Sequence, residues 1–152
     1  MIKQLDHSNT DTAHQIFNVF QCAYKVEAEL LNVDNFPPLS RSAASIQNAT
    51  TQFYGYIEQG ELAAVAEITV NDESIEIDSF TVAPTHFRKG IANKLLGDIL
   101  NRHSAKEIAI VETAVANTPA INLYKKHGFV EFKRWTPSHG IPKLAMRVEF
   151  KP

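Results

Sequence analysis

Arg88, Lys89 and Gly90 stand together at one joint of the chain, between an apolar, β-branched run ending at Val82 and a stretch with helical spacing. Two positive charges beside a glycine at the start of a helix suit a phosphate. The first helical amides lack internal partners, the helix dipole adds partial positive charge, and glycine lets a ligand approach the backbone. Phe80 to Val82 predict the end of a strand that Pro84 closes, because proline donates nothing to a sheet ladder. Ile91, Leu95 and Ile99, flanked by Ala92, Leu96 and Leu100, line one face of a helix starting near Arg88. The turn from Phe87 through Ile91 to Ala92 is therefore a candidate pyrophosphate cradle. An ordinary strand-to-helix turn has the same outline.

These residues sit in a chain of 152 residues, the length of one domain with room for a sizeable core. Its 44% hydrophobic and 21% charged residues are those of a globular protein. A net charge of −2 gives no support for nucleic acid or an anionic membrane as partner. Cys22 is the single cysteine, which excludes an internal disulfide and fits a reducing cytoplasm. No apolar run reaches the length of a membrane span, and the first residues do not form a signal peptide. The six histidines, His7, His14, His86, His103, His127 and His139, are scattered without metal-ligand spacing, so no metal is expected.

The elements that must position the cradle follow from local pattern. Ile2 to Leu5 predict a short edge strand, and Ile16, Phe17, Phe20, Ala23 and Tyr24 a helix, with Thr12 and Gln15 as a capping box. Asp34 to Leu39, with Pro37 and Pro38, break the chain, and a short helix follows over 42–48. Strands are predicted over 52–58, 62–70 and 74–82, the first two joined by a tight turn at Gln59 and Gly60. After the cradle helix, 107–115 reads as a strand in parallel pairing through a right-handed crossover. A helix follows, with Thr118 as cap, Pro119 in its first turn and Gly128 past its end. Two last strands cover 129–135 and 143–150. The exposed final strand, with Trp135 and Phe150, offers an edge for pairing two subunits.

Val82, Pro84, the basic turn, Gly90, Ala92, Leu95 and Leu96 resemble the acetyl-CoA-binding motif of the GNAT N-acetyltransferase family. That motif runs Gln or Arg, two residues, Gly, one residue, then Gly or Ala. Phe87 stands at the Gln/Arg position and Arg88 one residue later, so one side-chain phosphate contact of the pattern is not matched. Asn117, Ala120, Leu123, Tyr124, Gly128 and Phe129 are similar to the family's second signature, in the right order and spacing. The resemblance is strong over 52–134. It implies an α/β fold: a central mixed, mostly antiparallel sheet of about seven strands, about four helices and a splayed parallel strand pair.

By the same resemblance, pantetheine amides would pair with backbone near Phe80 and Val82. Amides from Phe87, Arg88, Lys89, Gly90, Ile91 and Ala92 would hold the pyrophosphate, and Asn117 would touch the cofactor arm. Tyr124 would protonate the leaving thiolate. Attack by an amine also needs a base, because the free amine is largely protonated at neutral pH. Glu76 and Asp78 are the candidates: period-two alternation puts them on one strand face, where family members place acid–base residues. Glu67 and Glu112 are the fallbacks. Glu27, Glu29, Phe36 and Leu39, between or near the first two helices, are candidate acceptor contacts.

The expectation is transfer of an acetyl group from acetyl-CoA to a primary amine of a small molecule or peptide, by direct attack in a ternary complex. The alternatives are acetylation of a protein N-terminus or lysine, and a catalytically silent acyl-CoA-binding module.

Overall fold

The computed structural model describes residues 1–150. Seven strands form one sheet: β1 (Ile2–Leu5), β2 (Gln52–Glu58), β3 (Glu61–Val70), β4 (Ser74–Val82), β5 (Ile108–Ala114), β6 (Val130–Trp135) and β7 (Lys143–Glu149), in the order β1-β2-β3-β4-β5-β7-β6. All neighbours run antiparallel except β4 and β5. Helices α1 (Thr10–Leu31) and α2 (Ala43–Gln47) cover one face, where Ala13, Ile16, Phe20 and Ile46 meet Phe53 and Val65. Helix α3 (Ile91–Arg102) packs on the other with Ile91, Leu95, Leu96 and Ile99, and α4 (Thr118–Lys126) adds Tyr124. Each such large apolar side chain, once buried, contributes about 1.5–3 kcal/mol. β3, beside the central strand β4, is buried without interruption from Ala63 through Ile68. Its alanines leave room for the helices on both sides.

Most element boundaries differ from the sequence reading by a residue or two, and three differences have physical content. Asn9, not Thr12, caps α1: its side chain accepts from the Thr12 amide. Helix α3 begins at Ile91 and not near Arg88, because residues Pro84–His86 form a 3-10 turn and Arg88 and Gly90 both take positive φ. The last strand is not an edge. β7 lies between β5 and β6, and Phe150 packs against the core, so the expected pairing edge at the final strand is absent. The free edge at that end of the sheet is β6, where Val130 and Phe132 are exposed.

Two irregularities in β4 shape the site. The β4–β5 ladder runs from Ser74↔Ile108 to Ile77↔Val111 and stops, although both strands continue. Beyond Ile77 the pair splays open. At the same place β4 bulges against β3: Ile77 pairs with Ile68 and Ser79 with Glu67, leaving Asp78 as the extra residue. A bulge shifts the alternation by one. Ile75 and Ile77 face the α3 side before it, and Phe80 and Val82 face that side after it.

Candidate active site

The splay opens a groove of about 670 Å³ that runs from β4 past the start of α3 to α4. Phe80, Val82, Phe87, Arg88, Gly90, Ile91, Ala92, Asn117 and Tyr124 all line it. Helix α3 has no side-chain cap: Gly90 stands at its N-cap with φ 76°. By contrast α1, α2 and α4 are capped by Asn9, Ser42 and Asn117. The first amides of α3 are thus left for an outside acceptor, as a phosphate cradle requires. A Cβ on Gly90 would meet no atom within 4 Å, so the space over the turn is open. On β4, the backbone edge past Ile77 has lost its β5 partner and faces the same groove. These features fit the phosphates and amide-bearing arm of CoA. Lys89 points elsewhere: its Nζ donates to Glu58 Oε2 at 3.1 Å, and it does not line the groove. His86, 8% exposed, lines the groove with its Nε2 at 3.7 Å from Glu58 and 3.8 Å from Glu61.

At its inner end the groove meets a second cavity of about 240 Å³, and Glu27, Phe80, Asn117, Ala120 and Tyr124 line both. One wall of this inner cavity is the segment before α2, with Phe36, Pro37 and Pro38, and another is the β6–β7 loop with His139 and Ile141. Asp78 and Glu112 also line it. The remaining sequence candidates do not: Glu29 is exposed on α1, Leu39 gives its carbonyl to Gln21, and Glu76 bonds Asn71 in the open. Glu76 and Asp78 were expected on one strand face. The bulge at Asp78 breaks that alternation.

Tyr124 is 4% exposed, with its ring edge-on to Phe80 at 6.4 Å and tilted against Phe129 at 5.5 Å. Burial, reinforced by the nearby Tyr24 and Glu27, raises its phenol well above the ordinary value and keeps it protonated. Tyr24 is likewise pushed up by burial to about 12. Burial also raises the Glu27 carboxyl, against a hydrogen bond from Asn117 and the charge of Lys143. Asp78 is raised by burial and by Glu67 and Glu76, with the Thr69 hydroxyl bonded to it and opposing. Glu67 differs. Burial alone would raise it, but Arg41, Thr51 and Ser79 outweigh burial and hold its carboxyl below the ordinary range. It lines neither cavity and is a poor base. Glu112 has Lys143 Nζ at 3.3 Å.

Several lining residues escaped the sequence reading, among them Tyr24, Val26, Leu30, Asn122 and Lys126. Val26 and Leu30 carried a signal: they lie four apart on α1 and are 37% and 53% exposed, an apolar stripe with no core to cover. Tyr24 and Glu27 stand on the same side of that helix.

Comparison with known proteins agrees with this architecture. The sequence is 33% identical over 141 residues to UPF0157 protein YqkA of Bacillus subtilis, covering 93% of this chain and 41% of that protein. It is 30% identical over 103 residues to YedL of Escherichia coli, named an uncharacterized N-acetyltransferase, covering 62% of this chain and 65% of that one. The chain thus spans less than two thirds of the length of either relative. Among solved structures, the ribosomal-protein-S18-alanine N-acetyltransferase of E. coli superposes with a TM-score of 0.79 at 20% identity, over 100% of this chain and 94% of that one. Salmonella typhimurium yncA, solved with acetyl-CoA, gives 0.70 at 17% identity over the same shares. The family profile described as the Acetyltransferase (GNAT) family matches residues 13–129. With the splayed β4–β5 pair, the uncapped α3 and the Asn117–Tyr124 helix in their places, this chain belongs to the GNAT acetyltransferase family.

Proposed function

We propose that this protein transfers the acetyl group of acetyl-CoA to a primary amine of a small molecule or short peptide by direct attack. The observation that carries the reading is the meeting of two cavities at Tyr124 and Glu27, a protonated phenol beside a carboxyl with raised proton affinity. Acetyl-CoA would supply an activated acyl carbon and a thiol leaving group. The α3 amides and the free edge of β4 would hold it. Glu27 then takes the proton of the amine that attacks, with Asp78 as second candidate, and Tyr124 gives a proton to the departing sulfur. Opposite proton tasks at one junction need two groups of different acidity, and this pair supplies them.

The inner cavity also speaks to the acceptor. Glu27, Asp78 and Glu112 face it, while the one lysine, Lys143, already lies against Glu112. Among the described residues, an acceptor carboxylate next to the amine would find no free lysine or arginine there. The small volume and the proline wall favour a compact amine or the end of an extended peptide over a lysine on a folded surface.

A thermal-shift titration with acetyl-CoA, CoA and ATP comes first, followed by thiol release with butylamine, butanediamine, phenethylamine, alanine and an alanine-ended hexapeptide. Acetyl-CoA and CoA at a hundredfold excess over Kd stabilise the fold by about 2.7 kcal/mol, and ATP does not. Amines without a neighbouring carboxylate turn over faster than alanine. Absence of any shift with both CoA species overturns the reading. A shift without turnover of any amine leaves the silent binding module. Gly90→Val tests the cradle. Its φ of 76° is costly for a β-branched residue, and the new side chain projects into the open space over the turn. CoA affinity falls at least about tenfold, a loss near 1.4 kcal/mol. Equal affinity places the phosphates elsewhere.

A further inference from the structure

The segment between α1 and α2 walls the inner cavity with Phe36, Pro37 and Pro38. Two consecutive prolines supply no backbone donors, so this wall depends on ties from outside it. One tie is Gln21 of α1, whose Nε2 donates to the Leu39 carbonyl at 3.0 Å. The other is Arg41, directly after the 3-10 turn Pro37–Ser40. Its guanidinium lies 5.9 and 5.8 Å from the ring centroids of Phe20 and Phe53. From there Nη1 and Nη2 donate to the two oxygens of Glu67, at 2.5 and 3.0 Å.

Glu67 is the buried anchor, with its side chain 5% exposed in the middle of β3. Its oxygens accept further bonds from Thr51 Oγ1 at 2.7 Å and Ser79 Oγ at 3.0 Å. Ser79 is the residue after the bulged Asp78 and lines the inner cavity with Tyr24. One carboxylate thus ties the proline wall and the bulge to a single point, although neither Arg41 nor Glu67 lines the cavity. A buried ion pair is close to break-even for stability against apolar residues of the same size. What a forked arginine–carboxylate contact adds is fixed geometry.

We propose that Arg41 and Glu67 are positioning residues for the acceptor: their fork fixes the 36–41 wall against the Asp78 bulge and so sets where the amine stands. This rests on the acceptor-cavity reading above. The test uses Arg41→Lys, which keeps a cation opposite the carboxylate and loses the fork. In hydrogen–deuterium exchange, the amides of Leu39 and Arg41, bonded to Phe36 and Pro38 carbonyls, exchange roughly tenfold faster, while β3 amides do not change. The acetyl-CoA thermal shift is retained. With phenethylamine as acceptor KM rises about tenfold and the KM for acetyl-CoA stays constant, whereas hydroxylamine, too small to use the wall, keeps its kcat/KM. A double variant, Arg41→Gln with Glu67→Gln, leaves no buried charge unpaired and gives the same pattern if the fork is what matters. Unchanged exchange over 36–41 overturns the proposal. So does exchange that rises equally across β3, or equal rises of both KM values, because the pair would then serve stability alone. The exchange measurement needs no acceptor, so a failed amine panel and a failed positioning role are told apart.

Discussion

Tyr124→Phe lowers turnover by roughly 100- to 10,000-fold, the usual worth of a positioned proton donor, and leaves CoA binding intact. The substitution removes one oxygen and nothing else. The ring keeps its contacts with Phe80 and Phe129, and the hydroxyl holds up no other part of the fold through a hydrogen bond among the described residues. Stability therefore changes little, and the loss falls on the step in which sulfur leaves. A thiol assay at saturating acetyl-CoA, paired with a CoA titration by calorimetry, reads the two quantities separately. Because burial keeps the phenol protonated far past neutrality, the wild-type rate shows no alkaline limb from this residue within the ordinary working range. If Tyr124→Phe turns over like the wild type, solvent protonates the thiolate and the residue is a packing aromatic.

The second large effect is expected at Glu27. A base must be ionised to act, and burial raises this carboxyl above its ordinary value. Its contribution is therefore present above that raised value and disappears as pH falls through it. The wild-type kcat/KM should show this acid limb in addition to the slope from ionisation of the acceptor amine. Glu27→Gln keeps the shape and the Asn117 contact but removes the limb, and the neutral-pH rate falls by roughly 100-fold or more. Asp78→Asn provides the contrast. Asp78 lines only the inner cavity and is tied to Thr69, so its loss should lower the rate less and leave the limb. A limb that survives Glu27→Gln and vanishes with Asp78→Asn would transfer the base role to Asp78.

What the sequence made legible was whatever is written locally. The cradle is three residues at a strand–helix joint, and the second signature is a helix with Pro119 in its first turn and Gly128 past its end, so turn chemistry and helical period suffice for both, although the cap is Asn117 and not Thr118. The Gln59–Gly60 turn is another such case, with both residues at positive φ in a two-residue hairpin. What stayed hidden depends on partners far along the chain. Lys89 looks like a phosphate ligand until Glu58, on β2, comes within reach of it. Glu76 and Asp78 look equivalent until β3 pairs out of step and makes a bulge of one of them. Glu27 is one of several acids on a long helix, and only the packing of α1 over the splay sets it apart. The strand order at the far edge was also missed: β7, with Leu144, Ala145 and Met146 buried, takes the inner place beside β5 and leaves the exposed β6 outside.

The short β4–β5 ladder also bears on how the molecule comes together. β2, β3 and β4 follow one another as hairpins, and β6 and β7 make another, so these pairs collect their rungs over short loops. The rungs between Ser74–Ile77 and Ile108–Val111 close only after all of α3 has been laid across the sheet, as those between β5 and β7 wait for α4, but the β4–β5 ladder has the fewer rungs of the two. Contacts of long sequence separation are slow to form and give little until they are complete. The joint between the two ribbons is thus a late and thin one, and it is also the mouth of the binding groove. A ligand spanning that mouth would touch both ribbons at their weakest union, so assembly and cofactor capture draw on the same few rungs.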